Sequence, residues 1–121
     1  MISNKIKEGI YGNIEIPSDK SISHRSIIIP SISQGISEVN NLLMSDDVLH
    51  TLEAFRALGV KITKENNKII INGKGLGSLT NSKKKIYLGN SGTSARLLTG
   101  LLASQSFNSI IEGDKSLSSR P

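Results

Sequence analysis

The sequence predicts a mixed α/β (α+β) protein in which short strands alternate with amphipathic helices. Three observations support this class: β-branched runs that end at turn residues, apolar residues at helical spacing between them, and a regular order of the two. Residues 13–73 give strand, helix, strand, helix, strand, strand, and the order restarts at residue 86. The chain therefore contains one complete βαβαββ unit and about half of a second.

The first predicted elements are two short strands between Lys5 and Pro17. Isoleucines recur along this stretch, and Gly9 and Gly12 interrupt it where a turn would join the strands. Proline ends the second strand because it cannot donate to a sheet ladder.

An isoleucine-rich helix is predicted to begin at Asp19 or Lys20. The preceding Ser18-Asp19 pair supplies a side chain able to cap the first turn. Pro30 removes one backbone donor and clashes with the turn before it, so we expect this helix to kink or to end near Ile29.

A strand over about residues 37–42 and a second helix come next. Ser45, Asp46 and Asp47 place a cap and two carboxylates at the positive end of the helix dipole. The apolar residues of this helix recur at helical spacing, and Gly59 stands in the usual terminating position.

A β-hairpin closes the first unit. Residues 60–63 and 68–71 are β-branched runs, and the Asn66-Asn67 pair between them tolerates the backbone of a tight turn. The second unit is predicted to contain a strand, a helix and a further strand, at about residues 86–88, 93–104 and 108–112.

Composition narrows the classes of function. The 121-residue chain has a formal net charge of +5, no cysteine, and only two Tyr and two Phe as aromatic residues. The lack of cysteine excludes disulfides and thiolate zinc sites, and few rings are present on which nucleic-acid bases could stack. Apart from Lys83–Lys85, which we expect to form a solvated loop, the cations are scattered. Small anionic ligands are therefore favoured, and no nucleic-acid partner is expected.

The amino-terminal residues indicate a cytoplasmic protein without a membrane partner. Met1 to Gly12 alternates polar and apolar residues and lacks the long apolar run of a secretion signal or a membrane span.

Three segments place polar residues and glycines just before or within the start of a helix or turn. They are residues 18–25 (SDKSISHR), 88–96 (LGNSGTSAR) and 113–120 (GDKSLSSR). Unpaired N–H groups at a helix start, together with the helix dipole, form a site for an anion. Each segment taken alone is equally explained as a capped surface turn or a polar tail.

The first segment offers Lys20 and Arg25, which we expect to converge on one phosphate or carboxylate while Ser21 donates a hydroxyl. Its cations are also common features of exposed helix starts.

The other two segments offer backbone and side-chain donors. Gly89 and Gly92 let the backbone approach a ligand closely, and Asn90 can bind one through its amide. Arg96 is interpreted as bracing a carboxylate. Arg120 could grip an anionic group through two parallel hydrogen bonds.

Together these segments resemble the 5-enolpyruvylshikimate-3-phosphate synthase family. Their order and rough spacing, with Ser45-Asp46-Asp47-Val48 and Ala57-Leu58-Gly59-Val60 between the first and the second, are similar to those of the family. The similarity covers nearly all of this chain but only about the first quarter to third of the family's chain. Because Arg120-Pro121 is typical of the opening of a helix, we expect a further element beyond it.

The resemblance implies the two-domain enolpyruvyl transferase fold, built of βαβαββ repeats. Residues 1–17 would be leading strands of the family's first domain, and residues 18–121 an incomplete portion of its second. It also implies the reaction, which moves the enolpyruvyl group of phosphoenolpyruvate to the 5-hydroxyl of shikimate 3-phosphate in the shikimate pathway to aromatic amino acids. No metal or organic cofactor is expected.

The same resemblance assigns roles to residues. Shikimate 3-phosphate would be bound by Lys20, Ser21 and Arg25, and phosphoenolpyruvate by Lys20, Asn90, Gly92 and Arg120. The family's acidic and basic catalytic residues lie in its later half and have no counterpart here, so no complete catalytic set is expected and the chain alone should be inactive. Surface that the family's remaining elements would cover is expected to favour self-association.

Two alternatives stay open. The related transferase that acts on UDP-N-acetylglucosamine shares the fold and the reaction, but it lacks the Asp-Lys-Ser-x-Ser-His-Arg pattern of residues 19–25. A truncated or decayed gene product would keep the sequence without catalysis. Nucleic-acid binding rests on net charge alone.

Overall fold

The computed structural model describes residues 11–120 and confirms the mixed α/β class. In chain order its elements are α1 (Lys20–Ile32), β1 (Gln34–Asn40), α2 (Asp46–Ala57), β2 (Lys61–Glu65), β3 (Lys68–Lys74), a short 3-10 helix (Leu76–Ser78), β4 (Ile86–Tyr87), α3 (Gly92–Ala103), β5 (Ile111–Glu112) and α4 (Lys115–Ser118).

The first unit is an antiparallel sheet of order β1-β3-β2. The predicted hairpin joins β2 to β3 through Asn66-Asn67, and Asn66 takes the left-handed backbone (φ 53°) that asparagine tolerates. Because side chains alternate across a strand, β3 buries Ile69 and Ile71 on one face, where α1 contacts it.

The core between this face and the helices is mostly aliphatic, as the composition requires. Ile27 of α1, Val48 and Phe55 of α2, and Leu58 after it are fully buried. Each such side chain stabilises the fold by roughly 1.5–3 kcal/mol relative to exposure. The core therefore fixes the positions of α1 and α2 relative to the sheet.

The second unit is a βαβ crossover in which β4 and β5 pair in parallel and α3 connects them. Parallel pairing brings the carboxyl ends of both strands to the same edge. Leu88 N–H donates to the Glu112 carbonyl (2.9 Å), and Asp114 N–H donates to the Gly89 carbonyl (2.8 Å). The loops that follow β4 and β5 therefore lie side by side.

The structure contradicts part of the predicted amino-terminal pair of strands. Residues 11–19 have no regular secondary structure, and Tyr11, Ile14 and Ile16 are exposed. A strand requires a hydrogen-bonded neighbour, and no strand of residues 11–120 pairs with this segment. The rest of the predicted pair lies outside the described residues, and the assignment of residues 1–17 to another domain stays a prediction.

Pro30 does not end α1 near Ile29, so the expected early end is wrong. The helix continues to Ile32, because Pro30 stands in its last turn, where serine hydroxyls bond several carbonyls. Ser31 Oγ donates to the Ile27 carbonyl (2.7 Å), and Ser33 Oγ donates to the Ile29 carbonyl (2.8 Å). The cost of the missing proline donor is therefore confined to one bond near the helix end.

Two strands also differ from their predicted bounds. β1 begins at Gln34, three residues before its predicted start, and includes Gly35, whose φ of 113° suits glycine. β5 is limited to Ile111–Glu112 because its partner β4 offers only two paired residues.

The end of α1 and the sheet approach closely at Gly73. A Cβ at Gly73 would lie 2.1 Å from the Pro30 carbonyl oxygen and 2.4 Å from the Ser33 carbonyl oxygen. Gly73→Ala should therefore lower the free energy of unfolding by about 3 kcal/mol, because two backbone segments would have to separate. Gly77→Ala, where a Cβ meets nothing within 4 Å, is the matched control and should change it by less than about 0.5 kcal/mol. Equal urea midpoints for the two variants would contradict this packing.

Candidate anion-binding site

A pocket of about 610 Å³ opens at the starts of α1, α2 and α3, beside the loops that follow β4 and β5. It is lined by Lys20, Asp47, Asn90, Gly92, Thr93, Arg96 and Arg120. The four residues predicted to bind phosphoenolpyruvate are all among them. Three sequence segments that are far apart in the chain therefore meet at one site.

The start of α1 positions Lys20. The Asp19 carboxylate caps the helix by accepting the Ile22 N–H (2.7 Å), as the sequence predicted. The Lys20 ammonium forms an ion pair with Asp47 at the start of α2, and the lysine side chain remains 51% exposed. An ion pair this exposed contributes at most about 1 kcal/mol. An incoming anion can therefore compete with Asp47 for the ammonium.

The start of α3 presents backbone donors. Ser91 caps the helix by accepting the Ser94 N–H (3.2 Å) on its hydroxyl. Within residues 11–120, the N–H groups of Gly92 and Thr93 have no hydrogen-bond acceptor. Together with the positive end of the helix dipole, donors of this kind are able to bind an anion.

The short helix α4 places Arg120, which follows it, at the pocket. Asp114 caps this helix by accepting the Leu117 N–H (2.7 Å), and the Leu117 side chain packs where a Cβ on Gly113 would stand. The Arg120 guanidinium donates to the side-chain oxygen of Asn90. This contact joins the loop after β4 to the end of α4.

The charges around the pocket are unbalanced. Lys20, Arg96 and Arg120 supply three positive charges and Asp47 supplies one negative charge, a formal excess of two. A small dianion would therefore be attracted, and the backbone donors of α3 would add hydrogen bonds without adding charge.

The interpretation of Arg96 as a brace for a carboxylate is wrong within residues 11–120. No carboxylate in that range lies within ion-pair distance of its guanidinium, which lines the pocket instead. The spacing of four residues from Gly92 could have indicated this, because such residues share one helix face. Sequence reasoning also missed Thr93, and it assigned Asp47 only to the helix dipole.

The expected convergence of Lys20 and Arg25 is not present. Five helical residues rotate about 140° apart around the axis, and Arg25 lines a separate groove between α1 and β1 that includes Glu38. Ser21 is exposed and lies four residues before Arg25, on the same side of α1. Lys20 instead shares its side of the helix with His24.

Beneath the pocket, a buried polar cluster connects three helices. His24 Nδ1 lies 2.8 Å from Thr51 Oγ1, which lies 2.6 Å from Ser94 Oγ, which in turn lies 2.6 Å from Ser91 Oγ. Burial lowers the pKa of His24 below its usual range, with a further lowering by the Lys20 charge and a smaller opposing effect of Asp47. The imidazole is therefore neutral at pH 7.

Within the described part of the chain, no three His, Asp or Glu side chains are close enough to hold a metal ion. No helix there is both long enough and apolar enough to cross a membrane.

Comparison with known proteins gives one consistent result. The family EPSP synthase (3-phosphoshikimate 1-carboxyvinyltransferase) matches residues 5–121. The 3-phosphoshikimate 1-carboxyvinyltransferase of Oenococcus oeni is 51% identical over 120 residues, which cover 99% of this chain and 28% of that protein. The corresponding protein of Leuconostoc citreum is 50% identical over 113 residues, with 93% and 26% covered.

A solved structure agrees with the sequence relatives. EPSP synthase from Acinetobacter baumannii superposes with a TM-score of 0.84 at 46% identity, over 91% of this chain and 25% of that chain. This chain thus spans about a quarter of the length of the proteins it matches.

Gly92→Ala should move Arg120 without unfolding the chain. A Cβ at Gly92 would lie 2.9 Å from Arg120 Nη1, the end of a flexible side chain, so the guanidinium should shift away from Asn90. We expect a changed Arg120 Nε–H resonance and a free energy of unfolding within about 1 kcal/mol of wild type. Gly100→Ala in the same helix meets nothing within 4 Å and should leave that resonance in place. Identical Arg120 resonances in both variants would refute the contact.

Proposed function

This chain belongs to the EPSP synthase family, and we propose that it forms the part of the active site that binds phosphoenolpyruvate. The complete enzyme would transfer the enolpyruvyl group to the 5-hydroxyl of shikimate 3-phosphate and release phosphate. One observation carries the proposal: Lys20, Arg120 and the α3 backbone donors line one pocket with an excess of two positive charges.

Each side of the pocket suits a different part of phosphoenolpyruvate. A phosphate can accept the N–H groups of Gly92 and Thr93 at the start of α3. The planar Arg120 guanidinium can bind phosphate or carboxylate oxygens in pairs. Lys20, released from Asp47, would neutralise charge at the reacting end. Such donors orient the substrate and stabilise charge that develops in the transition state.

Proton transfer requires groups that this pocket lacks. Protonation of the methylene carbon needs a positioned acid, and attack by the hydroxyl needs a base. Asp47 is the one carboxylate among the described pocket residues, and it is paired with Lys20. The catalytic acid and base are therefore proposed to come from outside this chain.

Shikimate 3-phosphate is proposed to use Lys20, Ser21 and Arg25. Support for this assignment is weaker, because Arg25 lies in the groove beside β1 and not in the pocket. The ligand would have to extend around the start of α1, with one anionic group near Ser21 and Arg25 and its ring near Lys20. Lys20 would then lie between the two substrates.

Cytoplasmic location and self-association stay predictions. Exposed isoleucines support the second, in particular Ile22 (59% exposed), Ile29 (56%) and Ile36 (72%), which lie on α1 and β1.

Calorimetric titration with phosphoenolpyruvate tests the proposed pocket. Lys20→Ala and Arg120→Ala should each weaken binding roughly tenfold or more, since a hydrogen bond to a charged group contributes about 1.5–3 kcal/mol. Lys84→Ala removes the same charge from an exposed loop and is the matched control, with less than a twofold effect expected. Equal losses of affinity in Lys20→Ala and Lys84→Ala would show that phosphoenolpyruvate is attracted by net charge alone and is not bound in the pocket.

The chain alone should show no enolpyruvyl transfer. Incubated with both substrates, it should release no phosphate above background, because the one carboxylate among the described pocket residues is held in an ion pair with Lys20. The full-length Oenococcus oeni relative serves as the positive control in the same assay. Turnover that persists after removal of contaminating enzyme, and that Lys20→Ala abolishes, would show that the chain contains a complete site.

A further inference from the structure

The buried cluster beneath the pocket is unusual because it joins three helices through side chains alone. His24 comes from α1, Thr51 from α2 and Ser94 from α3, and all three have 0% of their surface exposed. Ser91, the cap of α3, is 1% exposed and extends the chain of hydrogen bonds by one hydroxyl. Buried polar groups cost stability unless they are satisfied, so this cluster fixes the relative position of the helices that share it.

Each member of the cluster lies next to a residue of the pocket. His24 is one helical turn after Lys20, and Thr51 is one turn after Asp47. Thr51 Oγ1 also lies 3.2 Å from the Asp47 carbonyl. Ser91 and Ser94 stand on either side of the Gly92 and Thr93 donors. A shift of any one cluster member would therefore move one wall of the pocket.

The surroundings of the His24 ring favour its neutral form, because Nε2 is buried without a partner among the described residues. With a neutral imidazole, Nδ1 either accepts from the Thr51 hydroxyl or donates to it, and in both cases the remaining hydroxyls can pair. A protonated ring would place a charged N–H at Nε2 without an acceptor, which is costly.

We propose that His24, Thr51, Ser94 and Ser91 are positioning residues that align the three helix starts around the anion pocket, and that they do so only while His24 is neutral. This inference rests on the proposed function for its consequence in binding, but its geometric part can be tested without a ligand. None of the four is proposed to touch the substrate.

Acidification should weaken the alignment of the helix starts around the pocket, because it protonates His24. Each of the three helices presents groups to the His24 ring. The charge of Lys20 comes from α1, the charge of Asp47 and the Thr51 hydroxyl from α2, and the Ser94 hydroxyl from α3. Because burial keeps the pKa of His24 below its unfolded value of about 6.5, the unfolded chain binds the proton first. The stability that this neutral ring provides is complete above the unfolded pKa and is lost as the pH falls toward the folded pKa.

A set of five variants separates positioning from general stability. Thr51→Val removes the central hydroxyl at nearly constant shape. His24→Asn keeps a polar atom at the place of Nδ1, whereas His24→Gln moves it one bond further along the side chain and is its matched control. Ile27→Val lowers stability in the buried part of α1 and removes no polar group of the cluster. Ser94→Ala repeats the test should His24→Gln fail to fold.

The first measurement uses the unliganded chain. We expect Thr51→Val and His24→Gln to shift the Gly92 and Thr93 amide resonances, and His24→Asn and Ile27→Val to leave them within the wild-type range. In wild type these two resonances should move together with the His24 ring signals on acidification, and in His24→Asn they should not. Unchanged Gly92 and Thr93 amides in both Thr51→Val and His24→Gln would overturn the proposal.

The second measurement is titration with phosphoenolpyruvate at pH 7.5. Thr51→Val should weaken binding roughly tenfold, while Ile27→Val should not, even at an equal loss of melting temperature. If wild type binds and Thr51→Val binds equally well, the positioning role is refuted. If wild type does not bind but the amide shifts follow the expected pattern, the proposed function fails and the alignment of the helix starts stands.

Discussion

The pocket exists only because the fold holds three positively charged side chains close to one another. Lys20, Arg96 and Arg120 line one pocket, and their mutual repulsion must be opposed by contacts elsewhere. Part of this repulsion is offset within the pocket, because Asp47 pairs with Lys20 and the Asn90 side-chain oxygen accepts a hydrogen bond from Arg120. The larger part is opposed by the aliphatic core and by the buried polar cluster, which fix the helix starts that carry these groups.

This division gives the two parts of the chain different physical roles. The antiparallel sheet and the core beneath α1 and α2 supply stability, and their close contacts, such as Gly73 against Pro30, tolerate little change. The pocket supplies exposed ion pairs and backbone donors without partners, which contribute little to stability. An anion that binds there compensates the repulsion and should therefore stabilise the fold by mass action.

Local rules predicted most of the fold. The Asn66-Asn67 turn, the Asp19 cap and the antiparallel pairing of β2 with β3 follow from residue chemistry within a few positions, and the structure confirms them. The pocket was predictable in part, because three helix starts with cations suggested one anion site. The predicted convergence of Lys20 and Arg25 is wrong, because residues five apart on a helix lie about 140° apart around its axis.

The remaining features depend on residues that are distant in sequence. The contact between His24 and Ser94 joins positions 70 residues apart, and each residue alone is typical of an ordinary helix start. Arg96 lies four residues after Gly92, so its place in the pocket was open to prediction, whereas its lack of a carboxylate partner among residues 11–120 depends on the fold. Residues 11–19 carry the alternation of a strand, but strand formation depends on a neighbour that local sequence does not supply.

The parallel pairing of β4 with β5 has a consequence for the order of events on the ribosome. The three-stranded sheet is complete once Lys74 has emerged, but the loop after β4 gains its neighbour only when Glu112 and Asp114 follow. Arg120 comes last of all the pocket residues. Because domains fold as the chain is synthesised, the growing chain can form its sheet scaffold before all of the residues that line the pocket have been made.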